Sequence, residues 1–207
     1  MYLKRISLAG FKTFPDPVEF DFDPGTTAIV GPNGCGKSNI VDAFKWVLGE
    51  RSAKGMRGTE MLDVIFKGSR VRPALSRAEV TLTFDNEDGV LPIEASEVAI
   101  TRQLLRDGSS DYMINRTRCR LKDILALFSD TGIGTSGYSV MEQGKIEAFL
   151  NTNPVERRRI FEEAAGISRF KKQRSEALLR LEKTEHELVR TGDQLNEIER
   201  RIRSLKI

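Results

Sequence analysis

The residues best suited to chemistry lie together at Gly31–Ser38, which reads GPNGCGKS and satisfies the pattern G-x-x-x-x-G-K-[ST]. A polyphosphate carries several negative charges that must be brought close to the backbone. Gly31, Gly34 and Gly36 let successive N–H groups converge on its oxygens, with Pro32, Asn33 and Cys35 completing the loop. A helix beginning just after the loop adds its positive end. Lys37 is placed to bridge the terminal phosphates, and the Ser38 hydroxyl to take one position on Mg²⁺. Cys35 sits beside a lysine and a helix start, where a thiol can become more acidic; a small residue that tolerates the turn is the simpler reading. Lys12, between Phe11 and Thr13 and close to Phe14, is a second cation that could reach a nucleotide or DNA, or remain a solvated lysine.

A P-loop site needs elements on both sides. Three β-type runs precede it, around Leu3–Ala9, Val18–Phe22 and Thr26–Val30, separated by turns at Pro15–Pro17 and Pro24–Gly25. The third run feeds the glycine loop, and Ser38–Leu48 carries helix formers up to Gly49, so the spacing predicts strand, loop and helix. An ATPase of this type also needs an acid at the end of a buried apolar strand. Val80–Asp85 alternates like an edge or half-exposed strand, and Ile124–Asp130 follows a helix start, so neither fits. Half of the active site is therefore expected outside these residues.

Glu79–Asn115 alternates apolar and polar positions and is divided by turn clusters at Asn86–Gly89 and Asp107–Asp111. This predicts a β-meander of about three strands beside a mixed α/β core, followed by a short helix over Leu121–Phe128. Beyond Asn153–Pro154, a cap residue followed by proline, glycine recurs only at Gly166 and Gly192 and the sequence reads as helix. Leu181, Thr184, Leu188, Thr191, Leu195, Ile198, Ile202 and Leu205 follow in alternating steps of three and four, a heptad seam. A helix from about Ser168 onward would be roughly 60 Å long and would project. The seam reaches Ile207 without a stop signal and needs a partner helix, which reads as truncation.

The 207 residues carry 33 basic and 30 acidic side chains, net +3, too little to announce nucleic-acid binding. The basic residues Lys4, Arg5, Lys67, Arg70, Arg72, Arg102, Arg106, Arg116, Arg118 and Arg120 concentrate in the meander and its flanks, leaving a DNA-facing stripe and an ordinary solvated face both open. Two cysteines without metal spacing, no leader and no spanning apolar run suggest a cytosolic protein with reduced thiols. His186 lies off the seam with no metal-type neighbours.

Several separated motifs together resemble the SMC ATPases over essentially the whole chain: GFKTF at Gly10–Phe14, GPNGCGKSN at Gly31–Asn39, WVLGE at Trp46–Glu50, RCRLKD at Arg118–Asp123, QGKI at Gln143–Ile146 and RRIFEEAAGI at Arg158–Ile167. The last block before a coiled coil is most similar to bacterial SMC. The resemblance implies the N-terminal lobe of an ABC-type P-loop ATPase over residues 1–166, with a projecting coiled-coil helix over 167–207. It adds Asn39 to the nucleotide loop and aligns Gln143 with the Q-loop glutamine, which contacts Mg²⁺ and places the attacking water. Gln143 and Lys37 become the expected catalytic pair, and Arg57 in KGMRG matches an arginine near the phosphates. Amide and guanidinium chemistry suit these roles. SMC P-loops usually carry serine at the position of Cys35.

The same resemblance implies ATP and Mg²⁺ as cofactors. It implies as partners the C-terminal half of the same head, a second SMC subunit, a kleisin and DNA, with a cytoplasmic, nucleoid-associated location. A repair ATPase of the RecN or RecF type and a coiled-coil scaffold with a non-hydrolysing P-loop remain alternatives.

Overall fold

A computed structural model describes residues 1–128, Thr131, Val140, Arg158 and 167–205. Contacts divide the chain into two compact units, Met1–Thr152 and Asn153–Ile207.

The first unit is built on a six-stranded sheet: β1 (Tyr2–Ala9), β2 (Val18–Asp21), β3 (Arg77–Asp85), β4 (Glu97–Leu105), β5 (Ser110–Ile114) and β6 (Thr117–Cys119), in the spatial order β2-β1-β3-β4-β5-β6. All five pairings are antiparallel, so β1 is a direct neighbour of the meander. Strict alternation puts Ala78, Val80, Leu82 and Phe84 of β3, and Val98, Ile100, Arg102 and Leu104 of β4, on one buried face. The opposite face keeps polar pairs such as Thr81 and Thr101, whose hydroxyls lie 2.8 Å apart across the register. Asn86 closes the β3–β4 connection. Its amide donates to the carbonyls of Leu91, Ile93 and Ala95 while its own oxygen accepts from Leu91 N–H at 2.8 Å.

Helix α1 (Lys37–Val47) covers the buried face with Ile40, Ala43, Trp46 and Val47, a stripe at helical spacing. It ends where the sequence places its stop. Gly49, at φ +105°, donates to the Trp46 carbonyl and Glu50 to the Lys45 carbonyl, a Schellman closure that a residue with a Cβ would strain. A Cβ at Gly49 would also come within 2.9 Å of Leu121. Glycine there lets α2 (Leu121–Phe128) pack close, with Phe128 5.1 Å from the Phe84 ring. Trp46 is fully buried and stacks at 5.4 Å on Phe11, so truncating it to alanine should cost about 3–5 kcal/mol.

The second unit contains α3 (Ile167–Leu205), a 39-residue helix about 58 Å long at 1.5 Å per residue. Its heptad residues Leu181, Leu188, Leu195, Ile198, Ile202 and Leu205 are all exposed. Thr184 and Thr191, at seam positions, turn their hydroxyls back to the carbonyls of Arg180 and Glu187.

One expected element does not form. Thr26–Val30 forms no regular element and pairs with no described strand, and Ile29 and Val30 are 40% and 87% exposed. A strand is defined by its neighbours' hydrogen bonds, and the sheet that forms is antiparallel and lies elsewhere. The parallel component of a mixed sheet is thus not supplied by the described residues. Of the two acid candidates, Val80–Asp85 lies in β3, which is no edge strand but pairs with β1 and β4 and buries one face, and Ile124–Phe128 is helical.

Candidate functional site

The glycine loop runs directly into α1. Gly34 and Gly36 take φ +84° and +102°, and open space surrounds Gly34. At Gly36 a Cβ would meet Thr13 Oγ1 at 2.9 Å and Phe14 Cζ at 3.0 Å, so glycine is required there twice over, by backbone and by space. The start of α1 carries no side-chain cap and no acid in its first turn, leaving its positive end to an external anion. Lys37 Nζ lies over the loop and donates to the carbonyls of Gly31 and Pro32 at 2.7 and 2.6 Å. Those are neutral acceptors, and a phosphate oxygen is a stronger one. Ser38 is exposed at the helix start. This donor set fits a nucleotide polyphosphate with its Mg²⁺.

The GFKTF turn supplies the flank. Gly10 has φ +65°, and a Cβ there would sit 2.3 Å from the Arg77 carbonyl oxygen, so only glycine can carry β1 into the turn. Phe11 anchors it in the core, and the backbone N–H of Lys12 donates to Val64 O at 2.7 Å. Thr13 then faces the loop, accepting from Asn39 Nδ2 at 2.8 Å.

Sequence reasoning missed Asp42, which is buried on α1 one turn beyond Ser38. Its Oδ2 accepts from Lys12 Nζ, from Arg57 Nη2 and from Arg57 Nε at 3.1 Å. Arg57 also donates to Asn39 Oδ1 at 3.2 Å, and Lys12 to Met56 O at 2.6 Å. The structure therefore gathers Lys12, Asn39 and Arg57 around one carboxylate beside the loop. The available signal was an acid, Asp42, directly before the apolar helical positions Ala43, Trp46 and Val47. Gln143 lies outside the described residues, as does most of the RRIFEEAAGI block.

Arg102 leaves the basic set. It is buried between the rings of Trp46 and Tyr112, with its guanidinium carbon 4.6 and 5.0 Å from their centroids, and donates to the carbonyls of Trp46 and Glu50. Burial pushes it below its ordinary value, and Tyr112 partly opposes this. The other basic side chains are largely answered by acids: Lys4 by Glu97, Arg5 by Asp21, Lys67 by Asp63, Arg72 by Asp16, Arg118 by Asp111 and Arg120 by Asp123. Most of the positive charge concentrated by the sequence is locally neutralised.

Residues 2–199 match the model of the RecF/RecN/SMC N terminal domain. The chain is 53% identical over 204 residues to a chromosome partition protein Smc of Rhodopirellula baltica, covering 99% of this chain and 17% of that protein. To the protein of the same name from Bacillus subtilis it is 49% identical over 207 residues, covering 100% and 18%. The chain thus spans less than a fifth of the length of these relatives. Among solved structures, an Smc head domain with an extended coiled coil from Pyrococcus furiosus, bound to the C-terminal domain of ScpA, superposes with TM-score 0.77 at 39% identity. It covers 95% of this chain and 50% of that one. The SMC head domain from Thermotoga maritima gives 0.61 at 40% identity, covering 74% and 52%. With a P-loop lobe and a long heptad helix matched along nearly its whole length, the chain belongs to the RecF/RecN/SMC N-terminal domain family, in its SMC branch.

Proposed function

We propose that this lobe binds ATP and Mg²⁺ as one side of a composite ATPase site. The supporting observation is the exposed, unpaired run Thr26–Val30: it delivers the P-loop, yet a strand in that position normally lies inside a parallel sheet covered on both faces. The complementary strands, with the missing acid, would come from the C-terminal half of the same head.

In the bound state the Gly31–Ser38 backbone, with Asn39, would hold the phosphates, Lys37 would neutralise their terminal charge, and Ser38 and Gln143 would hold Mg²⁺. The metal supplies charge neutralisation on the transferring phosphoryl group. Arg57 adds a cation beside the loop, and Lys12, with its ammonium on Asp42, holds the carboxylate that Arg57 also meets. Gln143 would also orient the attacking water.

Engagement with the signature face of a second head would complete the site, and hydrolysis would release the pair, coupling turnover to DNA binding and chromosome partition. The exposed α3 seam is the physical motive for a helical partner, and a kleisin is the further partner. Solved SMC relatives support these expectations: one is an Smc head bound to the C-winged helix domain of ScpA, and another belongs to work on ATP-driven dimerization and DNA stimulated activation of SMC ATPases. Identity to chromosome partition proteins favours this reading over a RecN- or RecF-type repair role. The intact Gly36, Lys37 and Ser38 favour it over a non-hydrolysing scaffold. The cell compartment follows as cytoplasmic, on the nucleoid.

The test is ATP binding and turnover by the lobe alone and with the complementary half. Weak binding and negligible turnover alone, restored turnover on addition of the partner, and loss of binding in Lys37→Ala are expected. Robust turnover by the isolated lobe would refute the composite site.

A further inference from the structure

Asp42 presents one carboxylate oxygen to two cations that differ in their freedom. Lys12 is 12% exposed and has a second acceptor in Met56 O, so its ammonium is fixed. Arg57 is 50% exposed and reaches Asp42 from the solvent side, through both Nε and Nη2. Asp42 itself is 5% exposed. A carboxylate buried this deeply needs a permanent counter-ion, and Lys12 is placed to provide it. One negative and two positive charges leave a net charge of +1 at the cluster, on the member nearest to solvent and to Asn39 of the nucleotide loop.

The backbone points the same way. Lys12 and Arg57 both hold left-handed conformations, φ +50° and +55°, which cost free energy for residues with a Cβ and persist where surroundings enforce them. Asp42 is the side-chain partner that both share, alongside the backbone bonds from Lys12 N–H to Val64 O and from Arg57 N–H to Lys54 O. Arg57 follows the short 3₁₀ turn Lys54–Met56, and Lys12 lies in the GFKTF turn, so a single α1 side chain ties two separate segments to the helix that begins at the loop.

We propose that Asp42 is a positioning residue: with Lys12 as its permanent counter-ion, it orients Arg57 toward the phosphates bound at Gly31–Ser38 while leaving the arginine's charge available to them. This rests on the nucleotide-binding reading above. Asp42 touches neither phosphate nor metal and acts only through Arg57.

The experiment is a double-mutant cycle on the assembled head, this lobe with its complementary half, reading turnover, Mg-ATP affinity and thermal midpoint. Arg57→Ala and Asp42→Asn should each lower turnover by about ten-fold, and the double variant should be no slower than Arg57→Ala alone. Losses that multiply in the double variant would overturn the proposal.

Asp42→Asn also strands the Lys12 charge in a buried site and could simply unfold the turn. Lys12→Met combined with Asp42→Asn removes both charges. It should recover the thermal midpoint while turnover stays low, because Arg57 is still unguided. Recovery of turnover together with stability would show Asp42 to be only a structural counter-ion and would sink the idea. Lys37→Ala separates the two levels: normal ATP binding in that variant would remove the nucleotide site itself, whereas its loss of binding with a multiplicative Asp42–Arg57 cycle would remove only the positioning role.

Discussion

Arg102 donates to the carbonyl of Trp46 at 2.7 Å while its guanidinium lies over the indole of the same residue. A β4 side chain thereby caps the C-terminal end of α1, the helix that begins at the glycine loop. Replacing Arg102 with alanine should destabilise the lobe by about 2–4 kcal/mol, through lost packing on Trp46 and Tyr112 and the loss of its hydrogen bonds to the carbonyls of Trp46, which keeps the Gly49 N–H, and Glu50. Lysine should recover little of this, since it lacks the planar fork that stacks and bonds at once. Denaturant midpoints of the three proteins would check it; a change below about 0.5 kcal/mol in Arg102→Ala would contradict the capping role.

Gly34 and Gly36 provide an internal comparison. Both hold positive φ, but only Gly36 has Thr13 and Phe14 against the place a Cβ would occupy. Gly34→Ala should incur the backbone term alone, about 1 kcal/mol, whereas Gly36→Ala should cost more and lower nucleotide affinity by at least about ten-fold. Equal thermal midpoints and equal affinities would show that the Thr13–Phe14 contact does not matter.

Part of the acid sensitivity should trace to Asp63. Lys67 first, then the Glu60 N–H and the Thr59 hydroxyl and N–H, hold its carboxyl well below the usual carboxylate range. Because the folded value is depressed, the stabilisation is fully present above the unfolded value of about 3.9 and is lost as pH falls through the folded value. The stability gap between wild type and Asp63→Asn should therefore be constant from pH 7 to about 5 and shrink steadily below about 4. A gap that widens on acidification would contradict the assignment.

The two thiols should report on the loop. Cys35 is exposed inside it, while Cys119 is half-buried and its thiol is pushed up by burial and by Asp123. At neutral pH a maleimide should modify Cys35 first, and Cys35→Ser should abolish the fast phase. Bound Mg-ATP should slow that phase, and Cys35→Ser should leave nucleotide affinity within about two-fold, since backbone N–H groups make the contacts. Fast labelling that nucleotide does not affect would place the nucleotide away from the loop.

Much of this architecture is legible one segment at a time. The P-loop, the end of α1 at Gly49, the alternation of β3 and β4, α2 and the heptads of α3 are local patterns, read from spacing within a few turns or a few strand residues. Even the requirement for Gly10 in GFKTF is visible as a motif, although its reason, the Arg77 carbonyl 2.3 Å from any Cβ, is not.

What only the tertiary structure decided involves partners distant in sequence. Arg102 is indistinguishable from its basic neighbours until the sheet register turns it inward onto Trp46. Thr26–Val30 has strand composition, but a strand exists only where another supplies its hydrogen bonds. Asp42 gains its meaning when the GFKTF turn and the segment through Arg57 bring two cations to one oxygen. The sequence alone determined where a polyphosphate-binding pattern lies, Gly31–Ser38, because the spacing of its glycines, lysine and serine is a local feature of the chain. The charges around that loop were decided by the fold, because their energies depend on burial and on neighbours that spacing along the chain does not encode.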